Sequence, residues 1–173
     1  AAASLDELRG HGLSAIPADS PWAISVPGTV DGWHSILQAC GTMPLSEVLK
    51  PAIEYAEEGY PVSEVIAHQW QGALSKLAQR PSGQEFLVNG NPPRKGDVVR
   101  LPSLAGTLRS IAEGGPDAIY HGPIAEKIAR FVQQEGGWLS SNDLASHTST
   151  WEDPISTDYR GMTCWEGPPN GQG

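Results

Sequence analysis

Five histidines and two cysteines are the side chains with the readiest chemistry in this 173-residue chain, and their spacing builds no reaction centre. His11, His34, His68, His121 and His147 each stand alone. A helical zinc-protease pair would need a second histidine four residues after His68, and position 72 is glycine. Each is therefore expected as a surface or satisfied side chain. Cys40 and Cys164 form no Cys-x-x-Cys motif and no Cys/His cluster, so zinc is not indicated. Each is expected to fill a small buried apolar site, with a disulfide between them left open. There is no Gly-x-Ser-x-Gly elbow, Walker loop or Gly-x-Gly-x-x-Gly. Asp97 with Asp117 is the kind of pair acid–base catalysis uses, but sequence separation gives no reason to join them. Trp22, Trp33, Trp70, Trp138, Trp151 and Trp165 are expected to pack in the core with their indole N–H groups bonded. The glycine-rich tail, residues 167–173, could cradle an anion, yet no helix is visible after it.

The elements that must hold such groups are arranged around Val26-Pro27-Gly28-Thr29-Val30-Asp31-Gly32-Trp33. Residues 22–26 read as a short buried strand and residues 33–40 as a helix that Gly41 stops. Pro27 ends the strand, Gly28 and Gly32 allow angles or approaches that a Cβ would block, and Asp31 can cap the helix. Upstream, Ser4 and Glu7 form a capping box for a helix over residues 4–10. Downstream, residues 42–50 start a helix with Pro44 in its first turn, and residues 51–58 run on as a further one beyond Pro51, closed by Gly59. Leu45, Val48, Leu49, Ala52, Ile53 and Ala56 make one apolar stripe. Ser63 caps a helix over residues 63–79, with Val65, Ile66, Gln69 or Trp70, Ala73, Leu74 and Leu77 as its stripe and Arg80-Pro81 as its stop. Residues 82–85 read as a minimal capping-box turn, and residues 89–96 as an exposed loop.

Two further helices follow, over residues 103–113 (Leu104, Thr107, Leu108 and Ile111 inward) and residues 123–135 (Ile124, Ile128, Phe131 and Val132 inward). Between them residues 117–122 make a single turn. Ser140 or Ser141 caps a short helix through Ala145, and residues 148–152 and 162–165 read as strands around a turn at Tyr159-Arg160-Gly161. Helices dominate, with a few strands near both ends, which suits one layer of an α/β sandwich better than an all-α bundle.

Composition narrows the function. With 39% hydrophobic and 18% charged residues the chain reads as soluble and globular, while 20 glycines and 15 prolines imply many short elements. A net charge of −9 would repel a phosphate backbone, so nucleic acid is not an expected partner. No stretch approaches the roughly twenty apolar residues of a membrane span. The chain opens without Met and stops inside a loop, so it is expected to be an excerpt of a longer polypeptide.

Four stretches together resemble the gamma-glutamyltransferase (gamma-glutamyl transpeptidase) family. They are the Val26 to Trp33 turn with Gly41-Thr42-Met43-Pro44-Leu45 and Leu49 to Ser63; Asp97 to Gly122, ending Ala118-Ile119-Tyr120-His121-Gly122; Gly136-Gly137-Trp138-Leu139-Ser140-Ser141-Asn142-Asp143-Leu144; and Pro154-Ile155 to Tyr159-Arg160-Gly161. The resemblance implies an N-terminal-nucleophile (Ntn) hydrolase, α/β (α+β), helix-rich, with these 173 residues as part of an αββα sandwich. It implies a precursor that cuts itself, and a threonine at the small subunit's new N-terminus that attacks a gamma-glutamyl amide. The adjacent α-amine can act as base, which accounts for the missing triad.

On that reading residues 1–173 are a fragment of the large subunit. Its partners are the small subunit and a gamma-glutamyl or related amide. None of the family's nucleophile, oxyanion donors or substrate-carboxylate arginine maps onto a position in this sequence, so no catalytic, substrate-binding, cofactor-binding or metal residue is assigned and no cofactor is expected. Two departures stand out: residues 167–173 replace the family's usual Pro-Pro-Pro-Ser-Ser-Gly-Gly, and Met162 stands where Tyr is common. The family's cephalosporin and glutaryl acylases are an alternative to a glutathione-type donor, and a non-catalytic α/β binding or scaffold domain is the alternative of another class. The compartment is left open, periplasmic or extracellular by family. Apolar patches are expected wherever the small subunit would pack.

Overall fold

The structure is a computed structural model that describes residues 4–79, 81–169 and 171. Residues 1–3, the expected stop at Arg80, and Asn170, Gln172 and Gly173 of the tail lie outside the described residues. Helix α1, Leu5–Gly10, begins at Ser4, whose Oγ accepts the Glu7 N–H at 3.4 Å, one half of the expected box. The strand expected at residues 22–26 is instead a 3-10 turn over Pro21–Ala23 followed by irregular backbone. Pro21 opens that turn, and the Trp22 indole folds back to donate to the Gly136 carbonyl at 2.8 Å. Its hydrogen bond leads to a loop rather than a sheet.

Helix α2, Thr29–Cys40, starts four residues earlier than expected, because Gly28 already has helical angles (φ −82°, ψ −5°). Asp31 therefore lies inside the first turn and is not the cap. Gly41 stops the helix as expected, its N–H bonding the Leu37 carbonyl at 2.9 Å. Helix α3, Leu45–Glu58, is one helix where two were expected; Pro44 is its N-cap and Pro51 lies inside it. Pro51 removes a single intrahelical donor, and burial of Leu49 and Ala56 on either side outweighs that loss. Gly59 ends the helix at φ +92°, where a Cβ would also meet Val98 Cγ1 at 2.5 Å.

Strand β1, Tyr60–Pro61, pairs antiparallel with β2, Val98–Val99. Between them lies α4, Glu64–Ala78, capped by Ser63, whose Oγ accepts from Ile66. The 3-10 turn Pro81–Phe86 does not form the expected local box. Glu85 Oε1 instead accepts the Ser103 N–H at 2.7 Å and so caps α5, Pro102–Gly114, which has no side-chain cap of its own. Helices α6, Asp117–Tyr120, and α7, Pro123–Gln134, follow. Ser140 and Asp143 make a complete capping box for α8, Ser141–Ala145.

Two apolar clusters hold this body together. The larger joins Val30, Leu49, Leu108, Ile111, Ile119, Tyr120, Ala125, Ala129, Val132, Leu139 and Leu144, so every helix from α2 to α8 except α4 contributes. The smaller packs Ala67 of α4 with Ala56, Val62, Val99, Leu101 and Ala105. Alanines take places expected for larger residues. On α7, Ala125 and Ala129 are buried while Phe131 is 48% exposed; on α5, Ala105 is buried while Leu104 is exposed. On α4, Val65 and Ile66 are exposed and Ala67 is inward. Close helix approach selects these small side chains, which widen the buried face beside Leu49, Ala56, Leu108, Ile111 and Val132, all inward as expected.

The chain finishes in a hairpin of β3, Ile155–Tyr159, and β4, Met162–Glu166, with Tyr159 opposite Met162. Arg160 and Gly161 both have positive φ (53° and 80°), the two-residue turn that matches strand twist. The strand expected at residues 148–152 is displaced to Ile155, because the Ser149 N–H is taken by Asp31 and Pro154 has none to give. All ten strand residues are exposed. Strands near both ends were expected, but among the described residues none lies near the N-terminus.

Candidate functional site

The chemistry-bearing side chains are mostly dispersed over this body. Both cysteines are free and exposed, which corrects the expectation of buried sites; Cys40 sits on the last turn of α2 and Cys164 on the uncovered hairpin. His121 stands 3.8 Å from Asp117 on the surface, one turn along the same segment. Asp97 accepts the Arg94 N–H at 2.7 Å within its own loop and is not brought to Asp117 by any described contact. Among the described residues no group of three or more His, Cys, Asp or Glu could hold a metal ion.

The tryptophans divide. Trp22 stacks on Trp138 with ring centres 6.0 Å apart, and His11 tilts against Trp22 at 5.0 Å. Trp70 packs near Phe86, whereas Trp33, Trp151 and Trp165 are exposed rather than in the core. Trp138 Nε1 is buried without a hydrogen-bond partner.

Among the described residues, two open clefts carry no paired nucleophile and base. One of about 490 Å³ lies between α3 and α5 over Tyr55, Leu101, Leu104 and Leu108, almost wholly apolar. A second, about 690 Å³, runs along α4 past His68 to Arg94 and Lys95, whose ammonium is paired with Glu64 at 2.7 Å.

One arrangement departs from this dispersal, and it sits on the turn that organises the chain. Tyr120, buried on α6, donates its hydroxyl hydrogen to the Pro27 carbonyl at 2.7 Å and accepts the Asp31 N–H at 3.3 Å. Asp31 Oδ2 accepts the Ser149 N–H at 2.6 Å, across 118 residues of sequence. His147 fills the space between: its ring lies 5.0 Å from that of Tyr120, its Nε2 is 3.9 Å from Asp31 Oδ2, and that nitrogen is buried with no hydrogen-bond partner. Gly28 is required here by space, since a Cβ would stand 3.0 Å from both Cε1 and Nε2 of His147.

The electrostatics follow the geometry. Hydrogen bonds from Ser149 hold the Asp31 carboxyl below its ordinary value; burial opposes them, and His147 and His34 add to the lowering. Burial pushes the Tyr120 hydroxyl above its ordinary value, against the lowering effect of its bond from Asp31. The hydroxyl therefore stays protonated and keeps its bond to Pro27. The set fastens three segments, the turn into α2, α6, and the connector that leads to the hairpin. It contains no activated nucleophile. Sequence reading missed the grouping because His147 and Asp31 carry no shared spacing; the available signals were the Tyr120-His121-Gly122 run that ends α6 and the glycine at position 28.

A family model described as gamma-glutamyltranspeptidase matches residues 1–173. The chain is 38% identical over 166 residues to the glutathione hydrolase-like YwrD proenzyme of Bacillus subtilis, covering 94% of this chain and 31% of that one. It is 38% identical over 167 residues to the glutathione hydrolase proenzyme of Escherichia coli, covering 95% of this chain and 29% of that one. The crystal structure of cephalosporin acylase from Bacillus halodurans superposes with a TM-score of 0.90 at 38% identity, over 98% of this chain and 33% of that one. The chain spans about a third of the length of the relatives it matches.

Proposed function

The chain belongs to the gamma-glutamyltranspeptidase family and has the helix-rich α/β fold of its Ntn-hydrolase structures, and from that premise we propose that it is a large-subunit segment of an enzyme that transfers or hydrolyses a gamma-glutamyl amide. The observation that carries this reading is the match along the whole chain, joined to a fold that superposes on enzymes of the family. The partner is a small subunit of the same precursor, which supplies the nucleophile. Its N-terminal threonine Oγ attacks the amide carbonyl, the C–N bond breaks, and the threonine proton passes by way of the α-amine to the leaving amine. Water or an acceptor amine then takes the acyl group and restores the hydroxyl.

The hairpin supports a place within a larger sheet. Two strands alone are marginal in water, and here Ile155, Tyr159, Met162 and Cys164 share one exposed face. Trp165 is exposed on the hairpin's other face and Trp151 on the connector, at 64% and 66%. Surface of that kind marks contact with further polypeptide. An acylase reading is favoured by a separate observation, the 0.90 superposition on cephalosporin acylase.

Expression of the full-length precursor tests the proposal. Mass analysis is expected to show two polypeptides, the smaller starting with Thr, Ser or Cys, and the mixture is expected to release nitroaniline from a gamma-glutamyl anilide. Release from a glutaryl anilide instead would select the acylase reading. An uncut precursor without turnover of either would favour a non-catalytic scaffold.

A further inference from the structure

We infer that Asp31 is a positioning residue: its carboxylate hooks the connector at Ser149 and thereby sets the direction in which the β3–β4 hairpin leaves the helical body. This rests on the reading above for its catalytic consequence, though not for its structural one.

The connector, residues 146–154, is the covalent link from α8 to a hairpin whose ten strand residues are all exposed. Nothing in the hairpin's own pairing tells it where to point. Backbone bonds from Ser146 to Asn142 and from His147 to Leu144 only finish α8. Beyond them, the connector reaches the body at Ser149, whose N–H bonds Asp31 Oδ2 at 2.6 Å and whose side chain also acts on that carboxylate. A charged acceptor makes this bond stronger than a neutral one would.

The hook is itself held from behind. Tyr120 bonds both sides of the turn, at Pro27 and Asp31, so the first turn of α2 cannot swing. Its ring and that of His147 pack at 5.0 Å, and His147 stands against Gly28. A connector caught by a fixed carboxylate and wedged by an imidazole has one exit direction. In an assembled sandwich, a misdirected hairpin would misplace the sheet that carries the reacting groups. Displacement of about 1 Å far from the chemistry can cost roughly 100-fold in rate.

The test compares full-length precursor with Asp31→Ala, Asp31→Asn and Ser149→Ala variants. Hydrogen exchange of the amides over residues 148–166 is measured first, because it does not depend on activity. Asp31→Ala is expected to speed that exchange at least tenfold while α5 and α7 are unchanged. Asp31→Asn keeps an acceptor oxygen and is expected to restore protection to within about threefold. Ser149→Ala keeps the backbone donor but loses the side-chain one and is expected to fall between wild type and Asp31→Ala; exchange as fast as in Asp31→Ala would overturn the backbone bond as the hook. Where the wild type turns over substrate, Asp31→Ala is expected to lower kcat per mature site at least tenfold with KM within about twofold. Unchanged exchange over residues 148–166 in Asp31→Ala overturns the hook, as does an Asn variant no better than Ala. A wild type that neither cuts itself nor turns over substrate sinks the enzymatic reading alone, and the exchange result still decides the hook.

Discussion

Tyr120→Phe removes one oxygen from the organising turn and leaves the ring in place. Tyr120 is 4% exposed, so no bulk water is at hand to replace it. The change strands the Pro27 carbonyl, which had accepted at 2.7 Å, and the Asp31 N–H, which had donated at 3.3 Å. Asp31 lies in the first turn of α2, where backbone N–H groups have no intrahelical partner, so the helix cannot absorb the loss. A hydrogen bond is worth about 1 kcal/mol net, and a stranded buried group costs about 1–3 kcal/mol. The short bond to Pro27 carries most of this and the longer one less, so the expected total is about 2 kcal/mol. With a urea slope of about 3 kcal/mol per molar, the midpoint of the transition that unfolds this segment should fall by roughly 0.7 M. Tryptophan fluorescence follows it, since Trp22 and Trp138 report the adjoining loop. Exchange at the first-turn amides of α2 should rise in parallel. A midpoint shift below about 0.2 M, with those amides still protected, would show that the hydroxyl does not hold the turn and would refute the derivation.

Gly28→Ala should destabilise by about 1–2 kcal/mol, because the new Cβ meets the His147 ring at 3.0 Å while φ at −82° adds no strain. His147→Ala in the same chain should recover about 1 kcal/mol of that loss, read as the coupling energy in a double-mutant cycle. Leu144 is fully buried, and Leu144→Ala should cost about 2–5 kcal/mol in a thermal or urea melt. The Asp31 carboxyl is held below its ordinary value of 3.8, chiefly by bonds from Ser149. Its contribution is thus complete above about that value and is lost as the pH falls through the lowered one in the folded state. Asp31→Asn should therefore flatten the acid limb of the stability profile, with its stability loss greatest near neutral pH and vanishing at the acid end, where the wild-type carboxyl is itself protonated.

Local signals were legible where a residue acts on its own neighbours. Ser63, Ser140, Gly41 and Gly59 mark helix ends through bonds or angles spanning three or four residues, and each does so in the structure. The Tyr159-Arg160-Gly161 turn was legible for the same reason, as was the continuous match to one family. Where the outcome depended on a distant partner, sequence was a poor guide. Residues 22–26 have the composition of a strand, but the Trp22 indole finds its acceptor in Gly136. Glu85 looks like a partner for Ser82, yet it caps a helix 18 residues on.

What the sequence determined by itself was the family, the places of most helices and the caps at Ser63 and Ser140, because helical period and capping act within a few residues of one another. What the tertiary structure alone decided was that Leu104, Phe131, Val65 and Ile66 face outward while small neighbours go in, that Pro51 interrupts nothing, and that Asp31, Tyr120, His147 and Ser149 meet. Those outcomes depend on side chains separated by up to 118 residues competing for the same space and the same hydrogen bonds, and no local pattern records the result of that competition.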